Sequence, residues 1–149
     1  MSIDEKNNLK LIGKNQEDLK VISAYIQDSI VTVKDMVFLR RNRIFIMMIN
    51  RFKWENVLTG VSEQNKRTRC AIKFEEILKV QTKAINQKSK NKFLECLAIK
   101  SREISNNNYE IKIFFSGGNI ITLISEAIEV VMHDVGKAWE VKHIPKHKI

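Results

Sequence analysis

A chain of 149 residues, 44% apolar and 29% charged, has enough apolar surface to fold as one domain without disulfides or a metal. No apolar run approaches the roughly 18 residues of a membrane-spanning helix, and residues 1–6 lack the apolar core of a secretory signal. The net charge of +9, with 19 lysines against 7 arginines, reads either as a surface for nucleic acid or an anionic surface, or as AT-rich codon usage spread over a solvated exterior.

Residues 1–14 read as an N-terminal arm, with Leu9, Leu11 and Ile12 as a strand-like cluster that Gly13 ends. Asn15 is placed to cap a helix, with Asp18 as capping partner and Leu19, Ile22 and Ile26 on one face. From Ile30 the apolar period changes to 2. Residues 30–33 and 36–39 read as strand, Arg40-Arg41-Asn42-Arg43 as a basic turn, and 44–52 as the return strand. Residues 56–66 read as a loop. Strands over 67–74 and 78–85 meet at Glu75-Glu76, and 86–92 forms a second exposed loop before a strand over 93–104. Asn106, Asn107 and Asn108 mark a turn, because Asn tolerates left-handed geometry. Tyr109, Ile111, Ile113 and Phe115 then alternate along a strand. Gly117-Gly118-Asn119 turns the chain, and 120–124 returns. Ser125 is expected to cap a second helix with Ile128, Val131 and Val135 on one face and Gly136 as its stop.

About seven strands between two helices give an α+β fold. The order matches a seven-stranded antiparallel pleckstrin-homology-like barrel or orthogonal sandwich, with a C-terminal capping helix and an extra N-terminal helix. A sandwich with helices on one face of a single antiparallel sheet is the runner-up. With no repeat or linker, residues 1–149 read as a single domain: arm 1–14, globular core 15–139 and basic tail 140–149.

Several short stretches carry a resemblance. They are Leu9-Lys10-Leu11-Ile12, Glu17-Asp18-Leu19, Val21-Ile22-Ser23-Ala24, Gln27-Asp28, Asn50-Arg51-Phe52-Lys53-Trp54-Glu55, Arg67-Thr68-Arg69, Phe115-Ser116-Gly117-Gly118 and Asp134-Val135-Gly136-Lys137-Ala138-Trp139. In these the chain resembles an uncharacterised bacterial domain-of-unknown-function family of about 150 residues, found mainly in alphaproteobacteria. The resemblance implies a cytoplasmic protein and brings no activity with it. The family pattern is arginine-rich where this chain uses lysine, which fits codon bias.

Arg51, Trp54, Glu55, Arg67 and Arg69 form the candidate site for an anion or a partner. Arg67 and Arg69 share a strand face, and converging guanidiniums could hold a phosphate or carboxylate bidentately. The competing reading is a salt-bridge patch with Glu55, Glu75 or Glu76. Arg40, Arg41 and Arg43 form a candidate basic tip. Trp54 and Trp139 read as packing residues or as partner anchors. Cys70 and Cys96 read as buried reduced thiols. His143 and His147 have metal-ligand spacing, but Pro145 between them opposes a helix, so no metal is expected. His133-Asp134 reads as a surface pair at the end of the second helix.

No catalytic triad, phosphate loop or nucleophile elbow is present in the sequence. The expectation is a non-enzymatic binding or adaptor domain with a protein partner, no cofactor and no membrane insertion. Nucleic-acid or anionic-surface binding through basic residues is the alternative.

Overall fold

A computed structural model describes residues 8–54, 66–86 and 88–136, with the backbone alone at 2–3 and 139–140. In chain order the elements are β1 (Ser2–Ile3), β2 (Leu9–Gly13), α1 (Gln16–Ile26), β3 (Ile30–Thr32), β4 (Met36–Leu39), β5 (Ile44–Phe52), β6 (Lys66–Phe74), β7 (Ile77–Lys83), β8 (Phe93–Ser105), β9 (Asn108–Phe115), β10 (Ile120–Ser125), β11 (Val130–Asp134) and β12 (Trp139–Glu140).

The helix forms where its cap predicts. Asn15 Oδ1 accepts from the Asp18 N–H at 2.8 Å, and Asp18 Oδ2 accepts from the Lys14 N–H at 2.9 Å. Two amides at the helix start are thereby satisfied. Leu19, Ile22 and Ile26 are buried on its inner face, and the helix lies against β8, β2 and β5.

The strands form one antiparallel sheet with the order β1-β2-β11-β6-β5-β3-β8-β9-β10-β7, while β4 pairs with β5 and β12 with β6 off this path. The α+β expectation of seven strands and two helices is therefore corrected. The fold is nearly all-β, with α1 as its one described α-helix, and the sheet is an open path rather than a seven-stranded pleckstrin-homology-like barrel. The expected arm contributes β2, which sits inside the sheet between β1 and β11.

The largest correction falls after Ser125. The expected C-terminal helix is a short connection followed by β11, which pairs with β2 and β6. Val130, Met132 and Asp134 are buried, while Val131 and His133 point away, so the burial period is 2. Adjacent β-branched Val130 and Val131 favour a strand. The helical spacing of Ile128, Val131 and Val135 was coincidental, and Ser125 Oγ caps nothing among the described residues.

The sheet also bends back over itself. β7 follows β6 after two residues yet pairs with β10, at the far end of the order. Glu76 takes a positive φ of 60° at this corner. The corner is tied down by backbone hydrogen bonds: Ile77 N–H to the Arg43 carbonyl (2.8 Å), Glu126 N–H to the Glu76 carbonyl (3.0 Å) and Glu75 N–H to the Glu129 carbonyl (2.8 Å). Phe45, Phe74, Ile77, Ile113, Leu123 and Val130 belong to the single core that results. The asparagine and glycine turns fall where the sequence places them. Asn107 has φ 67°, and Gly117 and Gly118 have φ 75° and 76°.

Candidate binding cleft

The expected arginine cluster divides between the two faces of the sheet. β5 buries Phe45, Met47 and Ile49 on its inner face, and Arg51 continues the same parity. Its guanidinium is fully buried and bonds Asp134 at two atoms, Nε to Oδ1 and Nη2 to Oδ2, both at 2.8 Å. Asp134 Oδ2 also accepts from the Leu9 N–H at 2.9 Å. The Arg51 guanidinium carbon lies 5.9 Å from the Tyr25 ring centre. One ion pair thus joins β5, β11, β2 and α1. Asp134 is no surface group at a helix end; it is a buried partner.

Arg67 and Arg69 lie on the other face, opposite Phe52 and Asn50. Arg67 stacks over Phe52 at 5.8 Å and donates to the carbonyls of Asp28 (3.2 Å) and Asn50 (3.1 Å). Burial pushes its pKa below the ordinary arginine value, with Asp28 and Glu95 opposing the shift. Arg69 bonds Asn50 Oδ1 at 3.3 Å and pairs with Asp35 at 3.4 Å. Trp54 packs against Phe52 at 4.6 Å and donates from its indole to the Gln27 carbonyl at 2.8 Å. Phe52, Trp54 and Arg67 therefore come together, Arg69 lies beside them, and Arg51 is on the opposite face. Glu75 and Glu76 pair elsewhere, with Lys73 and Arg43. Glu55, His143 and His147 lie outside the described residues, as does the side chain of Trp139.

The basic turn also divides. Arg43 pairs with Glu126 at 2.7 Å and Glu76 at 3.9 Å, and the Glu126 carboxylate, accepting from its guanidinium, raises its pKa. Arg41 is exposed. Arg40 packs over the Phe38 ring at 5.6 Å and lines a cleft of about 300 Å³.

This cleft lies between β4 and β7. Buried Val33, Phe45 and Ile121 form its floor, and Met36, Phe38, Val80 and Ile85 its walls. Lys90 stands at the rim with Arg40. Two backbone bonds place it there: Val33 N–H to the Lys92 carbonyl (3.2 Å) and Lys34 N–H to the Lys90 carbonyl (2.9 Å). No carboxylate among the described residues pairs with Arg40 or Lys90. The cleft size falls at the low end for ligand sites, which are usually lined mostly by apolar side chains; here polar atoms make up the larger part of the exposed lining, over a buried apolar floor.

Sequence reasoning reached Arg40 but missed Val80 and Lys90. One signal was available. Residues 77–94 carry Lys79, Lys83, Lys88, Lys90 and Lys92 and no acidic residue, a local excess hidden by the even spread of lysines elsewhere. No group of three or more metal-ligating side chains occurs among the described residues, and no described helix is long and apolar enough to cross a membrane. Both cysteines are free and buried, and burial raises both thiol pKa values, that of Cys96 to about 12.

A family model described as a protein of unknown function, DUF2948, matches residues 9–147. No curated protein and no solved structure matches the chain.

Proposed function

The chain belongs to the DUF2948 family of proteins of unknown function, and we propose that it is a non-enzymatic recognition domain that binds an acidic partner protein at the cleft between β4 and β7. The observation that carries this reading is the pair of rim cations, Arg40 and Lys90, over an apolar floor with no carboxylate among the described residues to neutralise them. An apolar side chain on the floor and an acidic group on the rim would satisfy both parts at once. The lining supplies apolar area and positive charge rather than a general acid or base, which suits binding more than proton transfer. Two free buried thiols favour a reducing compartment, so the cytoplasm is the proposed site of action.

The same local lysine excess favours a second reading, binding of nucleic acid or an anionic surface. An Arg40→Glu/Lys90→Glu variant separates the two when compared with the wild type by affinity capture and cross-linking. A protein held by the wild type through cross-links to β4 or β7 and released by the variant supports the reading. Retention of RNA or DNA that falls steeply with salt replaces it with the second. Identical capture by both forms removes the cleft as the site.

A further inference from the structure

The edge of the cleft carries a more specific message than its volume. β7 is the last strand in the sheet order and pairs on one side, with β10. An antiparallel strand bonds its partner through alternate backbone groups and turns the others away. Among the described residues, no strand pairs with that second side of β7. The register sets Val80 opposite buried Leu123, so Val80 faces the interior and the cleft. Lys79 and Lys83 are opposite Ile124 and Ile120, on the outer face, and both lysines are exposed.

We infer that the partner contributes an extended segment of alternating apolar and acidic residues, which adds to β7 as a new edge strand. This rests on reading the cleft as a protein-binding site. Strand period places every second side chain of the added segment over the cleft and the intervening ones beside Lys79 and Lys83. Main-chain bonds supply attachment, and the two faces supply selection. Charge decides between occupants. A second copy of β7 would set lysine against lysine, the arrangement by which sheet edges avoid self-pairing. Residues 141–149 carry three lysines and no acidic residue, so they mismatch the same edge.

The test is amide hydrogen exchange followed by NMR on the full chain. The probe is an acetylated, amidated octapeptide alternating valine and glutamate; a valine–lysine octapeptide is its control. The expected result is slowing by about tenfold or more at the outward amides of residues 78–83 with the glutamate peptide alone. A Lys79→Glu/Lys83→Glu variant, altered only at exposed positions, should weaken that peptide about tenfold and favour the lysine peptide, since two attractive cross-strand pairs become repulsive. Equal binding of both peptides, or protection away from β7, overturns the proposal. So does protection of both alternate sets of β7 amides before peptide is added, because the edge is then occupied. If the glutamate peptide fails while Arg40→Glu/Lys90→Glu still releases a captured protein, strand addition fails and the recognition cleft stands.

Discussion

Replacing Asp134 by Asn tests whether the buried ion pair holds the sheet together. The substitution keeps side-chain shape and removes the charge that Arg51 bonds at two atoms, both groups being 0% exposed. Removing one partner of such a pair costs about 3–5 kcal/mol, because the other stays buried with less compensation. That is a large part of the roughly 5–15 kcal/mol that keeps a domain folded. For a chain of this size it lowers the Tm by about 6–20 °C. Asp134→Ala should cost about 1–3 kcal/mol more, since the Leu9 N–H then loses its acceptor as well. The double variant Arg51→Met/Asp134→Leu should be more stable than Asp134→Asn, because it removes both charges from the interior. Urea unfolding of the wild type, the three variants and the matching single changes gives the coupling directly. A loss below about 1 kcal/mol for Asp134→Asn, or a double variant costing the sum of its singles, would refute the reasoning.

Three further outcomes follow from the same geometry. Neither Cys70 nor Cys96 should react with a thiol reagent at pH 8 until the protein unfolds, because both are 0% exposed and burial holds both thiols protonated; rapid native-state labelling would show that the β6–β8 interior opens readily. The Asp35 carboxyl is held below its ordinary value of 3.8, first by the Thr32 hydroxyl at 2.6 Å and then, against the opposing effect of burial, by Arg69. Its contribution is therefore complete above the unfolded-state value and is lost as the pH falls through the folded one, so Asp35→Asn should flatten the Tm–pH curve below about pH 4; an unchanged acid limb contradicts this. Gly118→Ala forces a side chain into φ 76° and should cost about 1 kcal/mol by urea unfolding, although nothing lies within 4 Å of the added carbon; a neutral result would mean that the turn can change type.

Much of the local structure was legible in the sequence because its causes are local. Asn15 and Asp18 cap α1 with their own side chains. The glycine turn after Phe115 needs positive φ at two successive residues. The inner parity of Arg51 was also readable, since it continues Phe45, Met47 and Ile49. Its partner was not, because Asp134 lies 83 residues away and reaches it only through the β11-β6-β5 order. The segment after Ser125 shows the limit of periodicity. Its apolar residues satisfy a helical spacing, and pairing with β2 and β6 overrides it.

By itself the sequence determined one capped helix, the strand-and-turn character of most of the chain and its basic balance, all effects that act within a few residues. Tertiary structure decided that β7 leaves β6 to pair with β10, that β4 and β7 flank one cleft, and that Arg40 and Lys90 both line it. The physical reason is that strand pairing joins backbone groups with little regard to their separation in sequence. Which edges remain open, and which cations remain without a carboxylate, is fixed only when the whole sheet is assembled.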